Sequence, residues 1–182
     1  MMRNTRFLAA PECGVAMVEI LVSLLILTIG ALGLAGLQFY GIKFNHSSYE
    51  RSQATTLAYA LADTMRANQA QAAASAYALT RGATPPTATD CSANTCTPSQ
   101  LAAYNLSTWF TQLQGALAGG TASVSCADSP CTLASQQVIS VFWPEPDLQG
   151  AQGAGASAVL MASCAVSGAP AGTSCISIVF QP

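Results

Sequence analysis

From Val15 to Ile42 the chain runs for 28 residues with a single charged side chain, Glu19. About 20 apolar residues span the hydrocarbon core of a bilayer as a helix, so this segment reads as a membrane helix. The carboxylate is the anomaly: at the bilayer centre it costs about 2.5–3.5 kcal/mol on insertion scales. The segment holds no cation to offset it, and the first lysine beyond it is Lys43. One supplier of positive charge is a newly made chain end. A cut after Gly14 would give Val15 an α-amine four residues before Glu19, on the same helix face. The same amine could meet Glu19 of a neighbouring copy. The plainer alternative is a glutamate near the cytoplasmic interface whose head reaches water.

The flanks give the segment a direction. Residues 1–14 form a short leader whose basic residues are Arg3 and Arg6. Positive charge before the span predicts a cytoplasmic N-terminus and an exported remainder. The helical pattern continues past the span, because Ala54, Leu57, Ala58, Leu61, Ala62 and Met65 recur at helical spacing. No proline falls between Pro11 and Pro85. One helix is therefore expected from about Val15 to about Ala72, too long for a bilayer alone. Its distal half stands outside, with the Ala/Leu/Met stripe covering something.

Residues 73–97 are rich in Ala, Thr, Pro and Ser and read as a loop. A second helix follows. Thr97 is its N-cap, Pro98 its first helical residue, and Gln100 completes a capping box. Leu106, Trp109, Phe110, Leu113 and Leu117 make one apolar face, and Gly119 and Gly120 end the helix. The period then changes to two. "TASVSCA", "QQVISVFWPE", "SAVLMASCAVS" and "CISIVFQ" read as four strands of an antiparallel sheet. Ile139, Val141 and Trp143 share one face, and that face or its alternate is expected against the distal helix. The fold class is α+β.

Seven cysteines are present, and six of them follow residue 90. They form three local couples: Cys91 with Cys96, Cys126 with Cys131, and Cys164 with Cys175. Clustered, even-numbered cysteines point to disulfides in an oxidising compartment. Six cysteines allow fifteen connectivities, so local pairing is one choice among them. Zinc clusters favour C-x2-C closed by His or Cys, whereas these spacings are C-x4-C twice and a ten-residue gap, and the sole histidine, His46, is distant in sequence. No metal or cofactor is expected. Only 8% of residues are charged and the formal net charge is -2, so there is no basic footprint for nucleic acid. After residue 70 the acids are Asp90, Asp128, Glu145 and Asp147, with no histidine. Glu145 and Asp147 lie in "PEPD", read as an exposed turn. No catalytic set converges, and an enzyme is not expected.

Gly14 followed by an apolar segment with Glu as its fifth residue resembles the type III signal sequence of type IV pilins and pseudopilins. "EILVSLLILTIGALGLAGLQ" and "RSQATTLAYALADTMRAN" resemble the PilV group of minor pilins, the type IV pilus modification proteins. So do Trp109, Leu113, Leu117, Gly119 and Gly120, and "VISVFW" after them. The resemblance implies a pilin-like fold, with a long N-terminal helix on a four-stranded sheet. It implies a leader at 1–14, a membrane and filament-core helix at 15–42, its exposed continuation at 43–72, and a disulfide-bearing globular domain at 73–182. Prepilin peptidase would cut after Gly14 and methylate Val15, and Glu19 would align or neutralise an N-terminal amine in the filament. This chain has Val15 where Phe or Met is usual. The implied partners are that peptidase, inner-membrane lipid, the major pilin, other minor pilins and a tip adhesin. The implied location is the inner membrane before assembly and the pilus after it. A minor pseudopilin of a type II secretion system shares leader and fold. A signal-anchored periplasmic binding domain is the alternative of a different class.

Overall fold

The computed structural model describes residues 17–145 and 172–182. They divide into two compact units, one ending at Asn45 and one beginning at His46. Helix α1 spans Met17–Ala67, α2 Gln69–Ala73 and α3 Pro98–Ala116. Strands β1 (Thr121–Cys126), β2 (Gln137–Pro144) and β3 (Thr173–Phe180) form one antiparallel sheet in the order β1-β2-β3. The expected run "SAVLMASCAVS" lies outside the described residues, so three of the four expected strands are described.

In the first unit α1 has no apolar partner among the described residues. Every large apolar side chain from Met17 to Phe44 is exposed. This part is long and apolar enough to cross a membrane. Burying a Leu or Ile from water is worth about 1.5–3 kcal/mol, so such a surface calls for lipid or for other helices.

In the second unit α1 changes character. Ala54, Ala58, Leu61, Ala62 and Met65 are fully buried at helical spacing. Three of the five are alanines, which let neighbouring elements approach the backbone closely. They share one core with Leu106, Trp109, Phe110 and Leu113 of α3 and with Ile139, Val141 and Trp143 of β2. Of the two faces left open by the sequence, the one with Ile139, Val141 and Trp143 is therefore the one that shares the core with the helix. The register Val141↔Ile176 and Ile139↔Ile178 carries that face onto β3, and Ala122 and Val124 carry it onto β1. On the opposite face Ser140 and Ser177 share a hydroxyl hydrogen bond of 2.7 Å, and the Arg81 guanidinium lies 4.7 Å from the Phe142 ring centre.

Two features differ from the expected layout. The helix expected to run to about Ala72 breaks at Asn68, whose backbone leaves the helical region (φ -133°, ψ 52°). The Asn68 amide donates to the Pro98 carbonyl at 3.0 Å, so the break is tied to the start of α3. Within the expected loop 73–97, Leu79 bridges Val124 through paired backbone hydrogen bonds of 3.0 and 2.9 Å. The bridge covers part of the free edge of β1, where unpaired N–H and C=O groups would otherwise stand.

The capping box of α3 is formed. Thr97 Oγ1 accepts from the Gln100 N–H at 3.3 Å, and Gln100 Oε1 accepts from the Thr97 N–H at 2.9 Å. Thr97→Ala is expected to cost about 1 kcal/mol in chemical denaturation. At the other end Gly119 has φ +73°, and a Cβ there would lie 3.1 Å from the Pro144 ring. Only glycine adopts this conformation without strain and leaves room for the end of β2.

Candidate functional site

Glu19 stands in the first turn of α1 as described. It lies in a shallow groove of that helix with Ile20, Ser23, Leu24 and Leu27. Among the described residues, no ion pair is formed at Glu19. The nearest described cation along the helix is Lys43, 24 positions on, which is about 36 Å at 1.5 Å per residue. Gly14 and Val15, the expected cleavage and methylation positions, lie outside the described residues, as do Cys13 and Cys164.

The second unit carries the disulfides. Cys91 and Cys96 are bonded, and so are Cys126 and Cys131. Cys175 is also in a disulfide; the expected couple with Cys164 lies outside the described residues. The two described bonds close short loops on either side of α3 in sequence. Asp90 serves the first loop: its Oδ1 accepts from the Ser92 hydroxyl at 2.6 Å and the Ser92 N–H at 2.9 Å. These bonds hold the Asp90 carboxyl below its ordinary pKa, the Ser92 hydroxyl contributing most. The second loop is braced from the core. Gln137 Nε2 donates to Cys131 Sγ at 2.9 Å and reaches the Ala72 carbonyl at 3.4 Å.

One acid is not where the sequence suggested. Glu145, read there as part of an exposed turn, is only 8% exposed. Its N–H donates to the Gly172 carbonyl at 2.8 Å, its Oε2 accepts from the Ser174 hydroxyl, and both contacts come from the far end of a long connection. Oε1 of Glu145 is buried with no hydrogen-bond partner among the described residues. The charge of Glu145 acts on Glu50 of α1. Burial pushes the Glu50 carboxyl above its ordinary pKa, the charge of His46 pulls it back, and Glu145 raises it further. His46 Nδ1 lies 3.6 Å from Glu50 Oε1, with the His46 side chain 71% exposed and that of Glu50 17%. Local sequence gave no sign of the Glu145–Ser174 contact, because residues 145 and 174 are brought together only by the pairing of β2 with β3.

Among the described residues, no group of three or more His, Cys, Asp or Glu is placed to hold a metal ion. The arrangement offers two things instead: an apolar helix with one acid near its start, and a small unit stapled by disulfides.

A family model described as Tt1218-like, type IV pilin Tt1218, matches residues 36–107. The matched stretch takes in the end of the apolar segment, the buried stripe of α1, the break at Asn68 and the first half of α3. Over these residues, less than half of the chain, the protein is similar to a type IV pilin. The long apolar helix and small antiparallel sheet fit the same α+β fold. No curated protein and no solved structure matches the chain.

Proposed function

We propose that the chain is a minor type IV pilin of the PilV group, made as a precursor that is cut after Gly14 and methylated at Val15. The observation that carries this reading is the pairing, in one helix, of an apolar surface exposed from Met17 to Phe44 with a carboxylate at Glu19. The likeness to type IV pilin Tt1218 over residues 36–107 supports it. So does "RSQATTLAYALADTMRAN", which lies inside the matched stretch and resembles the pilus group.

The role follows from two successive environments. Before assembly the helix sits in the inner membrane with its N-terminus cytoplasmic, the orientation set by Arg3 and Arg6 ahead of the span. After assembly the same apolar side chains pack against the helices of other pilins. Lipid satisfies the apolar surface but offers Glu19 no partner. A filament offers both, because the new α-amine of Val15, on this chain or its neighbour, can meet the carboxylate. The chain acts with other minor pilins to prime assembly, stays in the filament near its tip, and lies next to the tip adhesin there.

Mass spectrometry of the mature chain tests this reading. The expected N-terminus is Val15 bearing one added methyl group. A chain beginning at Met1 in cells with active prepilin peptidase would remove the proposal. A mature end near residue 31 would instead indicate processing by ordinary signal peptidase, and with it a binding domain released from the membrane.

A further inference from the structure

The two described disulfides sit in different surroundings. Cys91 Sγ lies 3.5 Å from the Thr89 carbonyl oxygen, an acceptor that has no hydrogen to give the sulfur. Cys131 Sγ receives an N–H instead, from Gln137 Nε2 at 2.9 Å. The nitrogen of that amide is fixed on this side. The Ala72 carbonyl lies 3.4 Å from the same atom and would repel the amide oxygen. Gln137 is buried, so water competes little for the contact.

Strand pairing explains the placement. Gln137 opens β2 and is the register partner of Cys126, the last residue of β1. The chain between them is held by its own bonds. Ala127 N–H donates to the Gln136 carbonyl at 2.8 Å, and Thr132 N–H donates to Ser135 Oγ at 3.0 Å. These bonds do not involve sulfur, so the turn keeps Cys126 and Cys131 close when the disulfide opens. The two sulfurs differ in their neighbours. Cys126 is half-buried and adjoins the exposed residues 127–130. Cys131 is half-buried too, but its sulfur is backed by Gln137 and by the Ala72 carbonyl at 4.0 Å.

We propose that Cys126–Cys131 is a thiol–disulfide exchange site for dithiols, in which Cys126 is the sulfur attacked and Cys131 the sulfur that leaves. A thiolate of the dithiol bonds to Cys126 Sγ as the Cys126–Cys131 bond breaks, and the electron pair goes to Cys131 Sγ. The Gln137 N–H stabilises the thiolate formed there, since a hydrogen bond to a charged form favours it. A more stable thiolate is the faster leaving group. The second thiol of the dithiol, deprotonated, then attacks its own mixed-disulfide sulfur and releases Cys126. The two protons lost by the dithiol end on Cys126 and Cys131. The dithiol is oxidised to a disulfide, and the chain is reduced to two thiols.

Reduced Cys131 also has an acceptor for its S–H, the Ala72 carbonyl. Both protonation states of the free sulfur are therefore provided for. The charge nearby is small. Asp128, exposed, is the one charged residue between the two cysteines, and β1, β2 and α2 carry none. Filament membership has no part in this argument, so the exchange site stands or falls apart from the proposed function.

The test uses the full chain in detergent micelles at neutral pH. Glutathione, a monothiol, stops the exchange at the mixed disulfide. Iodoacetamide then marks the sulfur set free, and mass spectrometry of peptides locates both groups. The expected product carries glutathione on Cys126 and the alkyl group on Cys131. With dithiothreitol, Gln137→Met is expected to open this bond about fivefold more slowly, the equivalent of one net hydrogen bond. Cys91–Cys96 should open at its wild-type rate in the same sample. Glutathione found equally on both sulfurs, or mainly on Cys131, would overturn the assignment. So would an unchanged opening rate in Gln137→Met, or a bond that opens only when the chain unfolds. The position of glutathione is read on the wild type, so a poorly folded variant does not obscure it.

Discussion

Replacing Trp109 with alanine is expected to lower the melting temperature of the globular unit by about 10 °C, a loss of about 3–5 kcal/mol. Trp109 is buried on α3 and shares the core with the α1 stripe and β2. Its indole Nε1 donates to the Leu57 carbonyl on α1 at 2.8 Å. The change therefore removes a large side chain from a packed site and a hydrogen bond between two helices. The alanines at 54, 58 and 62 make the loss harder to absorb, because small neighbours have no side chain with which to fill the gap. Trp109→Phe separates the two effects: it keeps most of the ring and forfeits the hydrogen bond, for about 1 kcal/mol. Leu101→Ala, on the same helix but 39% exposed, should stay within about 0.5 kcal/mol of wild type. Thermal melts in detergent check all three. A Trp109→Ala melting point within 3 °C of wild type would show that α3 does not hold α1 in the core.

Much of this arrangement could be read from spacing. The α3 face named in the sequence is the buried one, because a helix that packs on one side must repeat its apolar residues every three or four positions. Ile139, Val141 and Trp143 were legible for the parallel reason, a period of two in a strand. The break at Asn68 was not. It coincides with the amide's hydrogen bond to the Pro98 carbonyl, 30 positions away, and no local pattern encodes that contact. The Leu79 bridge to β1 escaped notice for the same reason. Glu145 is the clearest case. "PEPD" has turn composition, and composition speaks for the residues beside it in the chain. Glu145 bonds instead to Gly172 and Ser174, which lie far off in sequence. Glu19 is the reverse: it stands out in the sequence because its neighbours are so uniformly apolar, and it needs no tertiary structure to be noticed.

Replacing Glu19 with alanine is expected to leave the chain folded and in the membrane, yet to reduce its share of sheared filaments by at least a hundredfold. The globular unit should melt as before, since Glu19 belongs to the other compact unit. Insertion should be easier, by about the 2.5–3.5 kcal/mol that the carboxylate costs in hydrocarbon. The loss falls on assembly. Removing one member of a charge pair in an apolar setting costs about 3–5 kcal/mol, because the other charge is left uncompensated. At about 1.4 kcal/mol per tenfold, that is a hundredfold or more. The uncompensated charge would be the α-amine of Val15, set at a helix N-terminus where the backbone dipole already disfavours a cation. Glu19→Gln isolates the cause. It keeps the size and hydrogen-bonding reach of the side chain and removes only the charge, so it should fail as alanine does. Glu19→Asp keeps the charge on a shorter stem and should restore part of the incorporation. Quantifying the chain in sheared filaments and in membranes, by immunoblotting, distinguishes these outcomes. Incorporation of Glu19→Gln at the wild-type level would mean that the acid is tolerated in α1 without acting in assembly. A wild-type chain that stays in the membrane, with Glu19→Ala no different, would point instead to an anchored binding domain.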